Sequence, residues 1–522
     1  MIGTVQSSGE DGFTFISHER IPRGVFVYYT DAGKKVLCRV KCGEPLKQYP
    51  QEFLMDMNIG AEEVSGFYGL DPADFKYYSY SADVVGYFEA ALGEFINPRT
   101  NPVSGERIEY AGQDILKDIS KAGKGERGSA FVGTVLGSEA DVVISVKDAV
   151  SQHVSVIAST GAGKSYTVGV LVEELLKPYN MAPVLVFDPH GEYSTLAGIS
   201  NMPEFITPSY RPRVRIVKPE NIKIRISDLL VGDFISIMDD GTMSDKMKTL
   251  FRSAYHNLRN NTKKPFTRNE LKLEIEALRD SNNESTIEGI KWRFGKLSAP
   301  IFDDFQTIPL SDYFRVGQLT IMDVSGIEET YQQLIASVML RRLFDAKMGT
   351  ENNKYNESHA DKFLPYPVFV IIEEAHRFAP HSGEAKSKGI LKTILSEGRK
   401  FGIGICLVSQ RPSKLDADSL SQCMTQITMR IINPADQQQI AQSIETASRD
   451  LISELPSLAK GQAIISGVAV NTPALVRIRR RLTSDAKGRS KDAPALWKAQ
   501  REYEEKHEKP DVRADEEMDI GV

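Results

Sequence analysis

The sequence predicts an α/β protein: a doubly wound, largely parallel sheet, preceded by a small β-barrel and interrupted by a helical insert. Three observations carry this. Short alternating strands with glycine-bearing turns fill the first 50 residues. From His153 onward, continuous apolar runs alternate with helical stretches, as in a parallel sheet covered on both faces. Between residues 229 and 298 the texture turns polar and helix-rich.

The elements follow in order. IGTVQ, DGFTFIS, GVFVYYT and KKVLCRV alternate apolar and polar residues and read as barrel strands. A loop-rich stretch over residues 71–127 holds further candidate strands and ends near FVGTVLG. The barrel is therefore expected to close between residues 110 and 140, and the first domain is placed at 1–130. VSVIA, SYTVGVLVEELLK and APVLVFD form a strand–helix–strand unit. The same texture returns as LTIMDVS, VFVIIEE and GIGICLVSQ, with TQITMRI and GQAIISG as further strands. The core is thus expected over 131–228 and 299–482, interrupted after its second strand by the insert at 229–298. Within the insert, Thr267 with Glu270 and Leu271 has the pattern of a capping-box helix start. Residues 483–522 form a charged arm with one amphipathic candidate helix, ALWKAQREYEEKHEK.

Composition excludes several classes. The 522 residues carry 64 Lys+Arg against 70 Asp+Glu, with 41% apolar and 26% charged residues, which is the profile of a globular chain rather than a disordered or collagenous one. No apolar run approaches the roughly 18 residues that span a bilayer. The opening MIGTVQSSGEDG lacks the basic patch and apolar core of a signal peptide. Four cysteines make no disulfide framework, so a reducing, cytoplasmic setting is expected. Cys38 and Cys42 have no second Cys/His pair and read as small residues at a strand end, not zinc ligands.

The strongest local signal is Thr160-Gly161-Ala162-Gly163-Lys164-Ser165, between an apolar strand and a helix. It matches the phosphate-binding loop G-x-x-x-x-G-K-[ST], except that Ala158 stands at the first glycine. Glycines at 161 and 163 let successive N–H groups turn inward toward a phosphate at the helix N-terminus. Lys164 would reach the β/γ oxygens of a nucleoside triphosphate, and the Ser165 hydroxyl would ligate Mg²⁺. Thr160 and Tyr166 complete the ATP-binding segment. Val368 to Glu374 is a second signal, an apolar strand ending in two carboxylates. Glu373 is assigned to the Mg²⁺ shell and Glu374 to the catalytic base; a solvated loop opening is the alternative. Gln410, at the end of a third strand, is a candidate γ-phosphate sensor, or else a turn-entry residue. Asp188, His190 and Glu192 in FDPHGEY are secondary candidates, which either face the ligand or only pin their own loop. Arg399 beside Lys400 reads in isolation as a solvated surface pair.

These motifs also carry a resemblance. IASTGAGKS, LVFDPHGEY, VIIEEAHRFAP, EGRKFGIGICLVSQRP and LSQCMTQITMRI occur in the order found in the HerA family of prokaryotic DNA-translocating ATPases. The resemblance runs from residue 1 to about residue 481. It implies a RecA-like P-loop ATPase core, and the N-terminal strands look like the barrel this family shares with rotary ATP synthase subunits. It further implies a homohexamer with ATP sites between subunits and double-stranded DNA in the pore, a mild net acidity being no obstacle when positive potential is confined there. On this resemblance Lys164 and Ser165 take the phosphate-loop roles, Glu374 the catalytic one and Gln410 the sensor's. Arg399 becomes an arginine acting on the neighbouring subunit's site. Glu373, where aspartate is more general, is usual for the family, and its loops also carry alanine at the position of Ala158. The family works with the nuclease NurA in double-strand-break end resection. The alternative setting is a ring partnered with a sirtuin-like or nuclease effector in antiviral defence. Pore contacts are not legible; Lys246, Lys248, Lys263 and Lys264 of the insert are weak candidates.

Overall fold

The computed structural model describes residues 1–9, 12–47, 63, 66, 69, 71, 76–262, 264–443, 449–484 and 493–507. Lys263, the end of the charged arm beyond residue 507 and its stretch 485–492 lie outside these. Among the described residues no helix is long and apolar enough to cross a membrane.

The N-terminal strands are β1 (Gly3–Gly9), β2 (Gly12–Ser17), β3 (Phe26–Asp31), β4 (Lys34–Pro45), β5 (Tyr78–Glu89), β6 (Glu94–Ile96) and β7 (Arg107–Tyr110). They pair antiparallel in the order β2-β1-β7-β3-β4-β5, and β2 pairs with β5, so six strands close on themselves and β6 hangs from β5. Closure removes the free edges that short strands otherwise expose. Alternate residues point inward: Phe13 and Phe15 on β2, Val27 and Tyr29 on β3, and Val36, Cys38 and Val40 on β4. The last barrel strand ends at Tyr110.

The second sheet comprises β8 (Ser129–Val135), β9 (Asp141–Ser145), β10 (Val154–Ile157), β11 (Val184–Asp188), β12 (Arg213–Val217), β15 (Gln318–Asp323), β16 (Val368–Ile372), β17 (Ile403–Ser409), β18 (Thr425–Met429), β19 (Gln462–Gly467) and β20 (Ala474–Ile478); β13 (Ile224–Arg225) and β14 (Phe302–Asp303) pair separately. Its order is β12-β15-β11-β16-β17-β10-β18-β19-β20-β8-β9. The seven strands from β12 to β18 are parallel. From β18 onward the pairings are antiparallel.

This corrects one expectation: the insert follows the third parallel strand of the core, β12, not the second. β12, RVRIV, lies at the sheet edge with a half-exposed burial pattern. Arg213 and Arg215 on it break the apolar run that marks the buried strands. FVGTVLG, in turn, is β8 and pairs with β20 of the core sheet.

Strict alternation explains the continuous apolar runs. Val368, Val370 and Ile372 of β16, and Ile403, Ile405 and Leu407 of β17, pack on one face with the helix Glu329–Glu351 and the insert. Phe369, Ile371, Cys406 and Val408 pack on the other with the helix Lys164–Leu175. Every residue of these strands is buried on one side or the other, each large side chain contributing roughly 1.5–3 kcal/mol. The insert's helices, Val231–Met238, Asp245–Asn261, Arg268–Ala277 and Glu284–Phe294, join the first of these clusters through Phe234, Phe251, Leu271 and Ile290. The capping box forms: Thr267 Oγ1 accepts the Glu270 N–H (3.2 Å), and Glu270 Oε2 accepts the Thr267 N–H (2.7 Å).

His153 ties the sheet to its surroundings immediately before β10. Its Nδ1 accepts the Ile405 N–H (3.1 Å) and its Nε2–H donates to the Leu395 carbonyl (3.0 Å). Burial pulls its pKa down to about 4. The unfolded chain therefore takes up this proton first as pH falls, so the contribution is complete above about 6.5 and is lost progressively toward 4. The full span is on the order of 3 kcal/mol. Urea midpoints measured across pH 7 to 4.5 are expected to fall more steeply for the wild type than for His153→Gln, which keeps a donor and an acceptor but does not titrate; parallel slopes would refute this.

Candidate active site

The C-terminal ends of β10, β11, β16 and β17 meet at one edge of the parallel sheet, where open α/β sheets place their ligands. β10 runs through Ala158 into the glycine loop and then the helix Lys164–Leu175. Gly161 and Gly163 have φ of 82° and 112°, conformations L side chains rarely adopt. At Gly163 a Cβ would also stand 3.2 Å from Met429 Cε. Ala158 is buried at the strand end and donates its N–H to the Ser409 carbonyl (3.2 Å), so a methyl group is accommodated where the usual pattern has glycine. The loop is pinned from behind: Ser159 N–H to the Arg430 carbonyl (2.9 Å), Ala162 N–H to the Ser159 carbonyl (3.1 Å) and Gly461 N–H to the Ala162 carbonyl (3.2 Å). The first-turn N–H groups of the helix, which lack intrahelical acceptors, are left to face an anion.

Lys164 lies between two buried carboxylates, its Nζ 2.6 Å from Glu373 Oε1 and 2.7 Å from Glu374 Oε1. Successive strand side chains point to opposite faces, so two neighbouring glutamates should not reach one amine. The backbone resolves this, because Glu374 leaves the strand in the left-handed region (φ 53°, ψ 44°), a conformation costing a non-glycine residue about 1–2 kcal/mol. Burial alone would lower the Lys164 pKa, but attraction to both carboxylates raises it. Burial pushes Glu373 up despite Lys164. Against its own burial, Glu374 is held below the usual carboxylate range by Lys164. Glu374 Oε2 is buried without a well-aligned hydrogen-bond donor, and Glu373 Oε1 has its ion pair with Lys164, which fits oxygens that serve a water and a divalent cation once the lysine turns to the phosphates.

The remaining candidates surround this pair. Ser165 donates its hydroxyl hydrogen to Glu192, and Thr160 Oγ1 donates to Gln410 Oε1 (2.7 Å), joining the loop to the end of β17. His190 Nε2 stands 3.8 Å from Glu374 Oε1. Tyr166 accepts the Arg481 N–H at its hydroxyl (2.6 Å), on the strap following β20. Asp188 is fully buried and accepts the N–H groups of His190, Glu192 and Tyr193 (3.3, 3.1 and 3.0 Å). It shapes its own loop through these bonds. Two residues without an assigned role belong to the site. Tyr193 donates to Glu373 Oε2 (2.7 Å), and His376 lies against both Glu374 and Ser409. Their signal was present in FDPHGEY and EEAH as polar residues five and four positions beyond a buried strand.

Arg399 is not brought to this cluster. It is exposed in the turn Gly398–Phe401, before the N-terminal end of β17, whereas Gln410 follows the C-terminal end. Seven strand residues separate those ends, about 23 Å at 3.3 Å each. The insert lysines are locally engaged or peripheral: Lys246 donates to the Asn282 carbonyl (2.7 Å), Lys248 pairs with Asp239 (2.7 Å), and Lys264 is exposed. Among the described residues no cluster of three or more His, Cys, Asp or Glu is arranged to hold a metal by itself.

The chain is similar to known proteins. Residues 130–343 match the family model described as "Helicase HerA, central domain". The DNA double-strand break repair helicase HerA of Pyrococcus furiosus is 31% identical over 430 residues, covering 74% of this chain and 75% of that protein. Its counterpart from Sulfolobus acidocaldarius is 27% identical over 438 residues, covering 80% of this chain and 81% of that protein. Among solved structures, VirB4 of Thermoanaerobacter pseudethanolicus superimposes with a TM-score of 0.48 at 13% identity, covering 68% of this chain and 97% of that one. With barrel, glycine loop and paired glutamates in one chain, and this identity extending over three quarters of a HerA protein, the chain belongs to the HerA family.

Proposed function

We propose that this protein is the subunit of an ATP-driven, ring-shaped DNA translocase or helicase, acting with a NurA-type nuclease in the resection of double-strand-break ends. The observation that carries the reading is the lysine clamped by two carboxylates beneath the glycine loop, with the one arginine the motifs single out stranded at the opposite sheet edge. The repair setting rests on the names of the relatives, which are double-strand-break repair helicases.

In this reading the N–H groups of Gly161 and of Gly163 to Tyr166, with Thr160, hold the ATP phosphates, and Lys164 moves from the carboxylates to the β/γ oxygens. Ser165 and Glu373 would hold a Mg²⁺ ion, which would supply positive charge to the phosphate oxygens. Glu374 orients a water and accepts its proton as the oxygen bonds to the γ-phosphorus and the bond to the β–γ bridging oxygen breaks, releasing phosphate and ADP. Gln410, tethered through Thr160, senses the γ-phosphate. Arg399 cannot serve its own site and stabilises charge on that of the adjacent copy, so each hydrolysis depends on a neighbour's position. Double-stranded DNA is gripped through its phosphates, so binding is nearly independent of sequence and weakens steeply with salt.

The test is ATP turnover with and without linear duplex DNA, alongside native mass. Expected are stimulation by DNA and a mass near six times the 58.1 kDa of one chain. A lone subunit turning over ATP at full speed would overturn the reading. Mixing Arg399→Ala with wild-type subunits is expected to depress activity well below the wild-type fraction; a loss merely proportional to the mutant share would argue against action in trans.

A further inference from the structure

His376 has no role in the reaction as described so far, yet its ring touches both the candidate base and the strand that leads to the candidate sensor. It sits in the short helix Ala375–Phe378 that Glu374 begins. Its Nδ1 is 3.1 Å from Ser409 Oγ and 3.3 Å from Glu374 Oε2. Ser409 is the last residue of β17. Its hydroxyl oxygen accepts the Arg411 N–H (3.1 Å), its carbonyl accepts the N–H of Ala158 at the root of the glycine loop (3.2 Å), and Gln410 follows it directly.

A neutral imidazole nitrogen makes one strong hydrogen bond, and burial holds this ring neutral at physiological pH, with a pKa of about 4. Nδ1 therefore serves Ser409 or Glu374, not both fully. In the structure the aligned bond is the one to Ser409, and Glu374 Oε2 has no aligned donor although His376 is in reach. The carboxylate is then held from its other oxygen by Lys164 alone at close range.

We propose that His376 is a positioning residue for ATP hydrolysis, exchanging its Nδ1 hydrogen bond between Ser409 and Glu374 and so coupling the setting of the catalytic carboxylate to the end of β17. With the bond on Ser409 the carboxylate rests against Lys164. With the bond on Glu374 one oxygen is anchored and the other is aimed at the water when Lys164 turns to the phosphates. No proton changes owner; only the acceptor of one hydrogen bond changes. The inference rests on the reading of Glu374 as base.

Steady-state ATP turnover of the full-length protein tests it with four variants. His376→Ala is expected to lower kcat roughly 10- to 100-fold, the scale of a misaligned catalytic group, with KM for ATP little changed. His376→Asn, whose amide nitrogen stands close to the position of Nδ1, restores most of that loss. Ser409→Ala removes the competing acceptor and raises turnover. An Asn variant as impaired as the Ala variant would reduce His376 to a packing residue and overturn the proposal, as would a change confined to KM or a fall in Ser409→Ala. Glu374→Gln, measured in parallel, separates the two readings. If it retains full turnover, the base assignment fails and this inference with it; if it is inactive while His376→Ala is normal, this inference alone fails.

Discussion

Lys164→Ala is expected to cut ATP turnover about a thousandfold or more, the scale seen when a preorganised charge donor to a transition state is removed. Two losses combine. The phosphates lose the cation that would neutralise them, and the site loses the charge that lies 2.6 and 2.7 Å from Glu373 and Glu374. Without it, two buried carboxylates lose their shared cation and one is expected to take up a proton, because neighbouring buried like charges disfavour each other's ionisation. Glu373, already pushed upward by burial, is the one that protonates. The variant should therefore fold yet show no rise in melting temperature with Mg-ATP, whereas the wild type rises through ligand linkage. Unchanged turnover would mean that the phosphate loop lies elsewhere.

Glu374→Gln is expected to behave oppositely in binding while failing equally in chemistry. The amide is isosteric, keeps an oxygen for Lys164 (2.7 Å) and a hydrogen-bonding end beside His376, and leaves Glu373 to hold the lysine. Its effect should be confined to proton acceptance, lowering kcat by roughly 10²–10⁴, with nucleotide affinity retained or increased because a negative charge has left the phosphate site. Single-turnover hydrolysis together with equilibrium nucleotide binding checks both halves. Loss of binding would contradict the base role and make Glu374 a structural partner of the lysine.

Both expectations depend on how Glu374 departs from β16. A substitution that removes the left-handed turn would separate the glutamates onto opposite faces of the sheet. The strain at that residue, about 1–2 kcal/mol, is offset by the ion pairs it makes possible, and the cost is concentrated where the chemistry is placed.

Local features were legible in the chain. Gly161, Gly163, Lys164 and Ser165 are contiguous, and their conformation is set by backbone sterics and a helix N-terminus, both short-range. The barrel strands could likewise be read from a periodicity of two, the buried strands VSVIA and VLVFD from continuous apolar runs, and the Thr267–Glu270 cap from capping chemistry. Asp188 was recognised as a strand-end acid, but whether it faced ligand or backbone was open, since both uses put the same residue type at the same place. β12 was missed because an edge strand is half solvated and its Arg-Val-Arg-Ile-Val carries no continuous apolar run.

What the sequence by itself determined is therefore the set of local conformations: which segments extend, which coil, where glycine must turn, and which chemical groups the strand ends present. What only the tertiary structure decided is which of those groups meet. Lys164 and Glu374 are 210 positions apart, and they touch because β16, β17 and β10 are neighbours in a parallel sheet. The same strand polarity carries Arg399 to the far edge and His376 to Ser409. Strand order is chosen by burying both faces of every central strand at once and by compensating each buried charge. Those are sums over the whole molecule, and no window of sequence contains them.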